Sequence, residues 1–118
     1  IFLDFEYFGW DDPVKLIGDF ILHPGMDLAD NLKTVWVKDA TDVFGVAAIS
    51  RLRVMWPLLG LCWCLILLNE FRQDIWVRRT RVSGIWTEDR QRILDTQLGR
   101  SQELLTNIQS CYREFPYG

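Results

Sequence analysis

The chain has 118 residues, 49% of them hydrophobic and 25% charged, with a net charge of −3. That is the make-up of one core-forming domain and excludes a disordered segment. The mild acidity also speaks against nucleic acid as a partner, because phosphate binding needs a concentrated positive field.

Ile1 to Tyr7 is rich in Ile, Leu, Phe and Tyr and predicts a strand or hairpin edge. The residues from Gly9 to Pro13 form a turn. Asp12 followed by Pro13 predicts a helix start, a capping carboxylate before a proline at the first helical position. The helix runs to about Leu22, where His23-Pro24-Gly25 ends it. A second helix is expected from about Asp27 to Phe44, carrying Leu28, Leu32, Val35, Trp36 and Val43, with Gly45 as punctuation. Val46 to Met55 reads as helical again, and Pro57 interrupts or restarts it.

Residues 54–68, VMWPLLGLCWCLILL, are the most apolar stretch. Fifteen residues interrupted by a proline and a glycine fall short of the roughly 20 a membrane helix needs. The reading is a helix buried on all faces of a bundle, with no membrane span. Arg72 to Gly84 is expected to be a polar connector, its arginines (Arg72, Arg78, Arg79, Arg81) pairing with the acidic first third of the chain, with phosphate or an acidic substrate as the other partner they suit. Residues 1–42 hold nine acidic and three basic side chains, whereas residues 43–118 hold seven acidic and ten basic, all arginine. Thr87 offers an N-cap for a last helix reaching about Phe115, with Leu94, Leu98, Leu105, Ile108, Tyr112 and Phe115 on its stripe and Ser101 as the one polar member. That stripe predicts a helix closing over the core, and it also has the spacing of a homodimer seam. The expected architecture is mainly α: one domain over residues 1–118, with a strand and turn (1–12) ahead of four to five helices (13–118).

Three cysteines, two of them in one apolar run, do not make a disulfide framework, and the carboxylate-broken N-terminal stretch does not read as a signal peptide. Reduced, buried thiols in a cytoplasmic protein are expected. His23, the only histidine, reads as a helix-end residue, because no metal-spaced partners accompany it.

In strand alternation Asp4 and Glu6 share one face, opposite Leu3, Phe5 and Tyr7. Two carboxylates beside a turn bearing Asp11 and Asp12 suit an oxygen-seeking cation such as Mg²⁺; a solvated edge with Asp12 as a cap suits the same residues. Leu3-Asp4-Phe5-Glu6-Tyr7, then Gly9-Trp10-Asp11-Asp12-Pro13 leading into an apolar helix, resembles the metal-binding segment of the aminoglycoside phosphotransferase and choline kinase-like family. Leu61-Cys62-Trp63-Cys64-Leu65-Ile66-Leu67-Leu68-Asn69-Glu70-Phe71 is similar to a buried helix of the C-terminal lobe of such kinases.

The resemblance implies that the chain is the helical C-terminal lobe portion of a phosphotransferase using Mg²⁺ and ATP on a small-molecule hydroxyl, on a sugar, aminoglycoside or amino alcohol. Asp4 matches the aspartate that holds Mg²⁺ against the phosphates. Glu6 stands where many members have glycine and some have glutamate. Asp12 and Pro13 match the structural Asp-Pro cap. The family's aspartate three residues beyond the proline is here Leu16, with Asp19 one turn later. The H-G-D-x-x-x-x-N catalytic segment and the nucleotide lobe are not in this sequence, so no catalytic residue is assigned and the chain is expected to be inactive alone. Gly18-Asp19-Phe20-Ile21-Leu22-His23 only mimics that segment. The alternative reading is a non-enzymatic helical protein–protein interaction module.

Overall fold

The computed structural model describes residues 11–83 and 90–118, with side chains for 11–78 and 90–118. Five α-helices follow in order: α1 (Pro13–Leu22), α2 (Asp30–Phe44), α3 (Val46–Leu67), α4 (Gln73–Ser83) and α5 (Arg90–Cys111), with a 3₁₀ turn (Leu68–Phe71) between α3 and α4. The expected mainly helical class is what the described residues show. The expected strand over Ile1–Tyr7 and the cap at Thr87 lie outside them.

α3 is the central element, and α1, α2 and α5 all pack against it. Its inward line is Leu52, Trp56, Gly60, Cys64 and Leu67, all buried. On one side α1 presents Val14, Ile17, Ile21 and Leu22 at helical spacing. At Gly18 a β-carbon would lie only 2.5 Å from Leu59 Cδ1, so the missing side chain lets α1 and α3 approach. Gly60 does the same opposite Ile108 of α5. After α5 the chain folds back, and Phe115 and Tyr117 close over Trp56 with ring centroids 5.0 and 5.8 Å away.

Four local expectations are corrected. α2 begins at Asp30 and not near Asp27, because Met26 N–H closes a turn on the His23 carbonyl and Asp27 takes a left-handed φ of 42° that no helix interior accepts. Its core residues are Val37 and Ala40, while Leu32, Val35 and Val43 face outward. α3 runs unbroken through Pro57. An interior proline costs about 3 kcal/mol, and here buried Leu52 and Trp56 before it and Cys64 and Leu67 after it hold both halves in place. The Arg-rich stretch after Arg72 is a helix and not a connector, anchored by buried Trp76. Its arginines are good helix formers, and Arg72 pairs with Asp74 at 2.9 Å and not with the acidic first third.

The fourth correction concerns α5. Leu98 and Tyr112 are exposed, whereas Ser101 and Ile108 are buried and Gln97, Leu104 and Cys111 are half-buried. Leu94, Leu105 and Phe115 of the expected stripe are half-buried as well, so only Leu98 and Tyr112 leave it, and Gln97 and Cys111 take their inward places. The stripe faces α3, as expected of a helix closing over the core.

Candidate functional site

The residues nearest the phosphotransferase-like motif are those at the start of α1. Asp12 takes an extended backbone, and its carboxylate accepts the Val14 N–H at 3.0 Å, satisfying one of the amides a helix start leaves unpaired. Pro13 follows at the first helical position. From α3, Arg51 meets the same carboxylate with two donors: Nε to Oδ2 at 2.9 Å and Nη2 to Oδ1 at 3.0 Å. This forked pairing holds the Asp12 carboxyl below the usual carboxylate range, with the Val14 amide adding to it. It also ties the point where residue 11 leads into α1 to the middle of the bundle. Asp11 in turn accepts the Asp12 N–H at 2.7 Å.

Asp19, one turn from the C-terminal end of α1, is fully engaged as well. Trp63 Nε1 of α3 donates to it at 2.9 Å, and Lys15 pairs with it four residues earlier on the same helix, which raises the Lys15 pKa. Asp19 is thus a strut between α1 and α3. His23 caps α1 at its C-terminal end: its Nδ1 accepts the Gly25 N–H at 3.0 Å, and its ring meets Trp63 edge-on at 5.0 Å.

Asp11, Asp12, Lys15, Asp19 and His23 border one open hollow on this side of α1. Its carboxylates are occupied by backbone amides, arginine, lysine or tryptophan. Among the described residues no group of three or more His, Cys, Asp or Glu side chains is placed to hold a metal ion. Asp4 and Glu6, the residues assigned to Mg²⁺, lie outside the described residues. Of the site residues assigned from the sequence, Asp12 and Pro13 are described, and they open α1.

A second feature escapes the sequence reading. Residues 54–68 are not buried on all faces: Val54 is 75% exposed, Leu58 55%, Leu61 43% and Leu65 68%. These four follow one another by four, three and four residues, so they form a straight seam along α3, turned away from Gly60 and α5. The signal was present, because no charged residue separates Arg53 from Glu70. Burial on every side nevertheless looked the natural fate of so apolar a run. Cys62 beside the seam is exposed while Cys64 is buried, so the expectation of buried thiols holds for Cys64 and fails for Cys62. Burial raises the Cys64 thiol pKa.

The unbroken helix also alters the length argument. Val46–Phe71 is long and apolar enough to cross a membrane by length and composition alone. Against a span stands its inward line, which packs on three other helices of the bundle.

Comparison with known proteins gives no match to a family model, a curated protein or a solved structure.

Proposed function

We propose that this chain is the helical C-terminal lobe portion of a Mg·ATP-dependent phosphotransferase acting on a small-molecule hydroxyl. The observation that carries the reading is the run Leu3-Asp4-Phe5-Glu6-Tyr7 with Gly9-Trp10-Asp11-Asp12-Pro13. Its last two residues open a helix that is capped by Asp12 and pinned by Arg51. A metal-bearing segment needs such an anchor, since a carboxylate misplaced by about 1 Å can cost on the order of 100-fold in rate.

In this reading Asp4 would hold the cation through its carboxylate, and Glu6, on the same face in strand alternation, would support it. Bound Mg²⁺ supplies charge neutralisation on the transferring phosphoryl group. The bond between the γ-phosphorus and the β–γ bridging oxygen breaks, and a bond to the acceptor oxygen forms. The acceptor's proton goes to a base outside this sequence, because no H-x-D-x-x-x-x-N occurs in it. Nucleotide and acceptor would be met together with that upstream part. Unpaired thiols suit a cytoplasmic setting.

The test is phosphoryl transfer from ATP to a panel of sugars, aminoglycosides and amino alcohols by the protein that contains this chain and its upstream sequence. Asp4→Ala should abolish the Mg²⁺-dependent transfer while far-UV circular dichroism stays unchanged. Retained turnover removes Asp4 from the mechanism.

A second reading, a helical protein-interaction module, is favoured by the seam on α3. Contiguous apolar surface of this size marks contact sites more often than ordinary protein surface. The contact helix is then α3, whose exposed apolar line is longer than what the C-terminal helix leaves open at Leu98 and Tyr112.

A further inference from the structure

We propose that the α3 seam is the contact between two copies of this chain, with the two α3 helices packed antiparallel. The inference rests on the second reading, that this apolar face is a protein contact, and is independent of phosphoryl transfer.

The geometry of the seam points to a helix as occupant. Val54, Leu58, Leu61 and Leu65 repeat as one side of a coiled-coil interface does, and such a line packs against another helix at a shallow angle of about 20°. The order of the steps points to a second copy. Four, three and four reads the same in both directions, so reversing the helix reproduces the pattern. In an antiparallel pair Val54 faces Leu65 of the partner subunit, and Leu58 faces Leu61 of the partner subunit. Both contacts then occur twice, as a two-fold interface requires.

Charge selects the antiparallel arrangement. Arg51 and Arg53 lie at one end of the seam, and no charged residue follows until Glu70. Arg51 is already paired with Asp12, so parallel pairing would bring the Arg53 charge of both copies to one end, whereas antiparallel pairing sets each Arg53 beside the partner's uncharged stretch. The area is of the right order. With Met55 and Ile66, the seam leaves roughly 500 Å² of apolar surface open per chain, the larger part of the ~800 Å² per partner in a standard interface. Exposed flanking side chains such as Lys15 and Cys62 can supply the rest.

The experiment is sedimentation velocity of the 118-residue chain over a micromolar concentration series, alongside Val54→Glu and Leu65→Glu. Both positions are exposed, so the variants should keep native helicity. A dimer is expected for the parent chain, and each variant should weaken it by at least about tenfold. Register is read separately by disulfide trapping in a Cys62→Ser background. A mixture of Leu58→Cys and Leu61→Cys chains should cross-link, while neither does so alone, since like positions lie too far apart for a disulfide.

A chain that stays monomeric throughout overturns the proposal. So does a dimer that survives both glutamates, or one in which Leu58→Cys cross-links with itself. Flotation of the chain with phosphatidylcholine vesicles, lost in Leu65→Glu and unaccompanied by a dimer, would also overturn it and assign the face to lipid. Dimerisation together with an inactive parent enzyme would sink the phosphotransferase reading alone; activity from a strict monomer would sink this one alone.

Discussion

The packing of α3 on α5 can be tested at Gly60. A β-carbon there would lie within 2.5 Å of Ile108 Cγ1, and Ile108 is itself buried, so the isoleucine cannot swing into solvent. Such overpacking costs about 1–3 kcal/mol. Replacing a helical glycine by alanine returns about 0.8–1 kcal/mol of backbone preference. Gly60→Ala should therefore destabilise by about 1 kcal/mol, and by up to about 2 if the core cannot adjust. Gly99, in the middle of α5, is the control: nothing lies within 4 Å of its added carbon. Gly99→Ala should stabilise by about 0.5–1 kcal/mol. Urea denaturation followed by circular dichroism reads both, with m unchanged if the folded and unfolded states keep their compactness. Ile108→Ala, which empties the space the new methyl claims, should cost less on the Gly60→Ala background than on the parent chain, with a coupling of about 1 kcal/mol or more. Equal stabilisation by both glycine replacements, or additivity in the Ile108 cycle, would refute the close approach of α3 and α5.

Other consequences are independent of that contact. Asp12→Asn keeps a capping side chain but loses the charge that Arg51 binds, so its melting temperature should fall below the parent's at neutral pH. Because folding lowers the Asp12 pKa, its charged-state stabilisation is present above the ordinary value of 3.8 and is lost as pH falls below it, so the two melting curves should converge in acid. Ser101 Oγ donates to the Cys64 carbonyl at 3.1 Å in a buried setting, so Ser101→Ala should cost about 0.5–1.5 kcal/mol in denaturant melts. Thiol labelling of the native protein should modify exposed Cys62 first. Cys64, buried and with a raised pKa, should wait for opening of the α3–α5 contact.

Sequence signals proved most informative where chemistry is local. Asp12-Pro13, His23-Pro24-Gly25 and Gly45 mark helix ends because capping, the missing proline amide and glycine's free backbone act within a few residues. They failed where tertiary packing decides. Pro57 stays inside α3 because the core grips both flanks, and the arginine-rich stretch is helical because Trp76 gives it an anchor. On α5 Ser101 keeps its inward place by donating to the Cys64 carbonyl, while Leu98 and Tyr112 turn outward and Gln97 and Cys111 stand inward instead. At the candidate site Asp12 could be read as a cap, but its partner Arg51 lies 39 residues away, and nothing local joins them. The same holds for the Trp63–Asp19 strut, 44 residues apart. Asp4 and Glu6 stand on the resemblance of their motif.

The central claim is that Asp4 brings a divalent cation to a nucleotide, and the most direct measurement is of binding, before any acceptor is known. Mn²⁺, as a paramagnetic stand-in for Mg²⁺, should bind with ATP to the phosphotransferase of which this chain is proposed to be a part, visible as water-proton relaxation enhanced above that of Mn·ATP alone. Asp4→Asn should weaken Mn·ATP binding by about tenfold or more while leaving the helical content unchanged. Equal Mn·ATP binding by the parent and the Asp4→Asn protein would contradict the account.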